Sequence, residues 1–77
     1  MDIRLDVVDH GLTDVIMNVE GIDYEIGSVE EHPTAEGYFR AYGYNGSLLE
    51  SSKDNFVFVD FDKAVNSLME AFDGMPR

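Results

Sequence analysis

Residues 60–72 read DFDKAVNSLMEAF. The apolar side chains in this stretch recur every three or four residues: Phe61, Ala64, Val65, Leu68, Met69 and Phe72. Side chains at that spacing form a continuous stripe on an α-helix. Asp60 suits the N-cap position, and the charge of Asp62 is favoured in the first turn. Gly74 and Pro76 are typical of residues that follow a helix. We therefore predict a helix from about Phe61 to Phe72.

The residues before the helix alternate apolar and polar side chains, which is the period of a half-buried strand. Strands are predicted over residues 1–9, 13–20, 22–29, 38–44 and 47–51, and residues 56–59 form either a sixth strand or the lead into the helix. A lone helix of this length is marginal in water, so its stripe needs a sheet to pack on. We predict an α+β fold, an antiparallel meander of four or five strands with the C-terminal helix packed on one face, as a single domain over residues 1–77.

Turn residues mark the connections between these strands. Asp9-His10-Gly11 ends the first strand, and Glu20-Gly21 predicts a tight hairpin because glycine accepts positive φ. Gly27 indicates a bulge or bend within the third strand. Residues 30–37 are predicted to be a loop, and Asn45-Gly46 predicts a type I′ hairpin turn.

The composition excludes several classes of function. Sixteen Asp and Glu stand against five Lys and Arg, a formal net charge of −11 in 77 residues, and there is no Cys. Such a charge repels nucleic acids and anionic membranes and attracts basic surfaces. No apolar run approaches the roughly 20 residues of a membrane span, and the N-terminus does not resemble a signal peptide. We expect a cytoplasmic protein that binds neither nucleic acid nor membrane directly.

Catalytic patterns are weak in this sequence. His10 and His32 both fall in predicted turns, with no serine in a nucleophile elbow. Asp60 and Asp62 follow an apolar stretch, as in the nucleophile motif of haloacid-dehalogenase-type phosphatases, but a helix start explains both residues. No calcium-binding loop or phosphate-binding glycine loop matches. We expect no enzyme activity, no catalytic residue, no cofactor and no metal site.

Two features favour binding of a protein partner. Carboxylates are dense between residues 20 and 36, and three tyrosines and an arginine alternate along residues 38–44. Tyr and Arg are enriched at binding hot spots. This row faces outward if Phe39, Ala41 and Gly43 face the helix, and it lies in the core if the register is inverted. The candidate partner-binding residues are Glu20, Asp23, Glu25, Glu30, Glu31, Glu36, Tyr38, Arg40, Tyr42 and Tyr44.

Three stretches carry a resemblance to a known class of proteins. They are residues 19–29, residues 37–41 and the helical residues Phe61, Ala64, Val65, Leu68 and Met69. Together they resemble the small ββββα proteins of bacteriophages and other mobile elements, among which are anti-CRISPR and anti-restriction inhibitors, some of them DNA mimics. No residue motif defines that class, so the resemblance transfers no functional residue by position.

The resemblance implies a host-defence inhibitor. The expected activity is non-catalytic: binding to the basic nucleic-acid-binding surface of a bacterial defence complex, a CRISPR effector being favoured, and blocking of DNA binding, with DNA mimicry as one means. The expected state is a monomer or a weak dimer. Two other interpretations stay open: an acidic immunity or antitoxin-type module that neutralises a basic nuclease, and a small domain of a salt-adapted organism.

Overall fold

One antiparallel sheet and one helix make up the computed structural model, which describes residues 2–73. The strands are β1 (Asp2–Asp9), β2 (Leu12–Val19), β3 (Ile22–Glu31) and β4 (Phe39–Gly43), and the helix is α1 (Phe61–Asp73). The strand order in the sheet is β1-β2-β3-β4, so each strand pairs with the next along the chain. The predicted α+β meander with a C-terminal helix is confirmed, with four strands.

Two of the predicted hairpin turns differ in geometry. Glu20 and Gly21 both have positive φ, 53° and 85°, so the predicted tight turn between β2 and β3 is confirmed. At the other turn Gly46 has positive φ, 82°, whereas Asn45 does not. The N–H of Gly43 donates to the Ser47 carbonyl at 2.8 Å, which closes a three-residue loop. The predicted type I′ turn at Asn45-Gly46 is therefore wrong, because that type needs positive φ at both central residues.

Residues 47–58 follow the outer edge of β4 without forming a strand. The N–H of Leu49 donates to the Ala41 carbonyl at 2.8 Å, and Phe39 and Phe58 exchange two N–H···O bonds of 2.8 Å. These contacts are isolated bridges. The strand predicted over residues 47–51 is wrong, and residues 56–59 lead into α1. The turn at residues 52–55 interrupts the pairing with β4, because its backbone hydrogen bonds join Ser51 and Ser52 to Asn55 and none reaches β4.

Helix α1 lies against β3 and β4. The carboxylate of Asp60 accepts the N–H of Asp62 at 2.8 Å, which confirms the predicted N-cap. Its apolar stripe packs into a core whose buried members are Val15, Met17, Ile26, Val29, Ala41, Phe58, Ala64, Leu68 and Phe72. The predicted end signals, Gly74 and Pro76, lie outside the described residues.

A β-bulge divides β3. Val15 pairs with Gly27 and Ile16 pairs with Glu25, so Ile26 is the extra residue and is buried. Gly27 has φ 149°, and a Cβ atom on it would overlap the Tyr42 carbonyl oxygen and lie 2.6 Å from Leu68 Cδ2. Only glycine fits both this backbone conformation and this space. The bulge predicted at Gly27 is confirmed.

Strand β3 continues two residues beyond its predicted end. Glu30 and Glu31 pair with Arg40 and Phe39, and the N–H of Glu31 donates to the Gly11 carbonyl at 2.8 Å. The predicted loop over residues 30–37 is therefore wrong at its start, and the connection begins at His32. There the Nδ1 atom of His32 accepts the N–H of Ala35 at 3.1 Å and organises the turn.

The sheet is wider than the helix that covers it. A helix is about 10 Å across, whereas the axes of four strands spaced about 4.8 Å apart span about 14 Å, and the sheet extends beyond its outer strand axes. Because α1 lies on β3 and β4, all eight residues of β1 stay exposed. Ile3, Leu5 and Val7 share the helix side of the sheet by register, yet they are 36%, 48% and 73% exposed.

Candidate acidic interface

The strand register sorts the side chains onto two faces. One face carries Val15, Met17, Val29 and Ala41 and packs on α1. We call the opposite face, which lies away from α1, the open face. Its charged members are the carboxylates Asp2, Asp6, Asp14, Asp23, Glu25 and Glu30 and the guanidinium groups Arg4 and Arg40.

The bulge in β3 brings the acidic residues of that strand together. Side chains alternate faces along a strand, so Asp23 and Glu25 are out of phase with Glu30 in a regular strand. The extra residue Ile26 shifts the phase by one. Register then places Asp23 opposite Asn18, and Glu30 opposite Arg40, with all four side chains on the open face. The Gly27 bulge thus assembles the acidic surface as well as the core.

One end of the open face holds a polar network around Asp23. The Arg4 guanidinium lies 3.3 Å from the Asp23 carboxylate, and the Asn18 side-chain amide donates to the same carboxylate at 2.9 Å. The Asn18 hydrogen bond lowers the pKa of Asp23 most; desolvation opposes it, and the Arg4 charge lowers the pKa further. This carboxylate is therefore already partnered within the protein.

The other end holds a second network around Glu30. Arg40 forms an ion pair with the Glu30 carboxylate, and the Tyr42 hydroxyl donates to the same oxygen at 3.4 Å. The Nε atom of Arg40 is buried and has no hydrogen-bond acceptor within residues 2–73. Glu30 thus holds Arg40 and Tyr42 against the sheet, so these two side chains are less free to reach a partner than sequence reasoning assumed.

Between the two networks lie carboxylates without a cation. Asp6 and Asp14 are direct cross-strand partners. Within the described part of the chain, no ion pair or side-chain hydrogen bond involves either carboxylate. Like charges directly opposite each other destabilise a sheet. The Asp6–Asp14 pair on β1 and β2 is therefore a point of uncompensated negative charge on the open face.

The structure places the candidate residues in three settings. The open face carries Asp23, Glu25, Glu30, Arg40 and Tyr42. Glu31 faces the other way, since it pairs with Phe39, and Glu20 lies in the β2–β3 turn. Glu36 and Tyr38 lie in the connection before β4, and Tyr44 lies in the loop after it. The loop predicted over residues 30–37 would bring Glu30, Glu31 and Glu36 together, but strand alternation separates Glu30 from Glu31.

The outward orientation of the tyrosine row is settled in part. Ala41 and Gly43 are buried on the helix side, and the Phe39 ring packs edge-on against Phe61 with ring centroids 5.6 Å apart. Tyr38 and Tyr44 are 41% and 51% exposed. The inverted register, with the tyrosines in the core, is therefore wrong.

Sequence reasoning missed three carboxylates of the open face: Asp2, Asp6 and Asp14. The signal was present, because the turns at His10-Gly11 and Glu20-Gly21 fix the register of two hairpins. The density of carboxylates along the sequence favoured residues 20–36 instead. That density does not show which carboxylates lie close together on neighbouring strands.

Neither a metal-binding cluster nor a membrane-spanning helix is found within residues 2–73. No group of three His, Cys, Asp or Glu side chains within residues 2–73 has the arrangement of a metal site. In the same range no helix has the length and apolar character to cross a membrane.

Comparison of the chain with protein-family models, curated proteins and solved structures finds no match.

Proposed function

We propose that the protein is a non-catalytic inhibitor that binds the basic nucleic-acid-binding surface of a bacterial defence complex, with a CRISPR effector as the favoured target, and blocks DNA binding. The observation that carries the proposal is the open face, where six carboxylates share one side of the sheet away from the helix. A surface that holds phosphates presents Lys and Arg side chains, with which carboxylates form charge-assisted hydrogen bonds.

Charge density limits how closely the open face resembles DNA. A strand of eight residues is about 27 Å long, and duplex DNA carries about 16 charges over that length. Six carboxylates and two guanidinium groups leave the open face a net charge of −4. The protein therefore competes through the placement of a few carboxylates, and its total charge of −11 speeds association. We expect a weaker salt dependence than that of DNA on the same surface.

The open face offers a target two kinds of contact. The uncompensated Asp6 and Asp14 lie on β1 and β2, where a Lys or Arg of the target removes their mutual repulsion. Tyr38 and Tyr44 flank β4 at its two ends and supply the exposed aromatic contacts. Arg40 and Tyr42 support Glu30 from within the protein.

The experiment is a displacement assay with purified CRISPR effector complexes and labelled target DNA, read by fluorescence anisotropy. The open-face variant is Asp6→Asn, Asp14→Asn and Glu25→Gln. The matched control is Glu50→Gln, Asp54→Asn and Glu70→Gln, which removes three charges from exposed positions off the sheet. Three ion pairs of about 0.5 kcal/mol each correspond to about tenfold weaker displacement. We expect that loss in the open-face variant and near-unchanged displacement in the control.

Other outcomes separate the alternatives. Equal losses in both variants would show that total charge acts and the open face does not. If the protein displaces DNA from no complex, the CRISPR-directed proposal is wrong, and inhibition of a basic nuclease would favour the immunity-type interpretation. Circular dichroism in about 50 mM salt serves as a folding control, since a fold that needs molar salt favours adaptation to salt.

A further inference from the structure

The outer edge of β1 is the free edge of the sheet. The sheet ends at β1, and within residues 2–73 no segment pairs with its outer side. At the opposite edge, residues 47–49 and Phe58 bond to β4. A free edge presents unpaired N–H and C=O groups, which act as a template for another strand.

Strand β1 carries few of the features that normally block edge pairing. Such features are short length, Pro, charged side chains (Lys above all), charges that point inward, and bulges. β1 has eight residues against a usual five or six, and it contains neither Pro nor Lys. Its bulge lies at one end, between Val7 and Asp9. On its helix side the side chains are all apolar: Ile3, Leu5 and Val7.

We propose that β1 pairs antiparallel with β1 of a second copy of this chain, centred on Leu5, and joins two sheets into one of eight strands. Charge complementarity between the two strands supports this pairing. In this register Arg4 of each copy lies opposite Asp6 of the other, so two ion pairs form on the open face. On the helix side Leu5 meets Leu5, and Ile3 meets Val7 of the second copy. Cross-strand pairs of these kinds stabilise a sheet.

Neighbouring registers lack this complementarity. Centring the pair on Arg4 places the two Arg4 side chains opposite each other and sets Asp2 against Asp6. Centring it on Asp6 places the two Asp6 side chains opposite each other. Because like charges directly opposite are destabilising, the charge pattern of β1 disfavours Arg4 and Asp6 as centres. Centring the pair on Ile3 sets Arg4 against Asp2 but pairs only residues 2–4 of the strand, whereas centring it on Leu5 pairs residues 2–8. A two-fold axis through that centre makes the interface self-complementary, as in most homodimers.

The dimer does not depend on the proposed function. Added salt should change the affinity of the dimer and the affinity for a basic target in opposite directions. Each copy carries a charge of −11, so added salt screens repulsion between copies and strengthens the dimer. The same salt weakens binding to a basic target. In the dimer both open faces lie on one side of the joined sheet, so a target meets twice as many carboxylates.

The test is sedimentation of the full chain over a range of concentrations, with two single variants. Arg4→Asp gives β1 three acidic side chains on the open face, and Asp6→Arg gives it two arginines. Each variant places like charges opposite each other in its own dimer, and we expect self-association at least about tenfold weaker. Lys53→Asp and Glu70→Arg make the same kinds of charge reversal away from β1, and we expect them to leave the dimer intact.

The decisive sample is an equimolar mixture of the Arg4→Asp and Asp6→Arg chains. In the mixed pair the acidic side chains at positions 4 and 6 of the first chain face the arginines at positions 6 and 4 of the second. We therefore expect a heterodimer at concentrations where each variant alone is a monomer. A misfolded variant cannot give this rescue. A native chain that stays monomeric to about millimolar concentration, single variants that dimerise like the native chain, or a mixture that stays monomeric would each overturn the proposal.

Discussion

β1 and β4 are the two edge strands of one sheet, and their surroundings are opposite. β4 lies under α1, has Ala41 and Gly43 buried, and bonds along its outer edge to residues 47–49 and Phe58. β1 pairs with β2 alone, and every one of its residues is exposed. Both strands alternate in the same way along the sequence. The comparison shows that alternation determines which face a side chain takes, whereas the width of the covering helix determines whether that face is buried.

The largest effect is expected at the point where β3, β4 and α1 meet. Gly27→Ala places a Cβ atom against the Tyr42 carbonyl and Leu68, at a φ that disfavours any side chain. We expect loss of the folded state, because a chain of this size has little stability to spare. The measurement is circular dichroism with thermal and urea unfolding.

Gly37→Ala is the matched control for that variant. Gly37 also has positive φ, 84°, but a Cβ atom on it meets nothing within 4 Å. It should cost only about 1–2 kcal/mol of backbone strain. Equal destabilisation of the two variants would mean that close contact at Gly27 does not matter.

The next largest effect is expected from truncating Leu68, in the half of the molecule that contains α1, compared with Leu5, in the uncovered half at β1. Leu68 is fully buried, whereas Leu5 is 48% exposed. Leu68→Ala should cost about 2–5 kcal/mol of unfolding free energy, and Leu5→Ala should cost under about 1 kcal/mol when measured on the monomer. Urea unfolding at low protein concentration measures both. Similar losses would contradict the contrast between the covered and uncovered halves.

A smaller effect compares the two arginine–carboxylate pairs of the open face. The Arg40–Glu30 pair is half-buried next to β4, and the Arg4–Asp23 pair is exposed next to β1. Glu30→Gln should cost about 1 kcal/mol, because it leaves the Arg40 guanidinium without its carboxylate. Asp23→Asn should cost less, since solvent screens that pair. A larger loss of unfolding free energy in Asp23→Asn than in Glu30→Gln would contradict this order. Charge reversal at Glu30 is also a poor probe of binding, because it disturbs stability.

The smallest effect is the pH dependence of Asp23. Its pKa in the folded protein lies below its ordinary value, so its ionised form favours folding. This contribution is complete above the ordinary aspartate pKa of about 3.9 and disappears as pH falls through the folded-state value. The difference in Tm between the native chain and Asp23→Asn should therefore shrink from neutral pH towards about pH 2. A difference that stays constant over this range would contradict the assigned pKa shift.

The sequence predicts the positions of the helix and strands better than it predicts which side chains are buried or lie close together. The spacing of Phe61, Ala64 and Leu68 predicts α1, and Gly27 predicts the bulge, because each signal is local and chemically specific. The strand predicted over residues 47–51 fails because one or two edge bridges do not make a strand. The candidate site is predicted in part: Asp23, Glu25 and Glu30 share a face only because of the bulge, and Asp6 and Asp14 meet only across strands.

The meander has a consequence for synthesis of the chain. Strands β1 to β3 pair in order across short turns, so they can associate before α1 leaves the ribosome. At about 5–20 residues per second, the roughly thirty residues between β3 and α1 take about 2–6 seconds, during which Val15, Met17 and Val29 face water. Residues 2–31 carry nine carboxylates and one arginine. That charge keeps nascent chains apart while their future core is exposed to water, so the acidity keeps the chain soluble before it has folded.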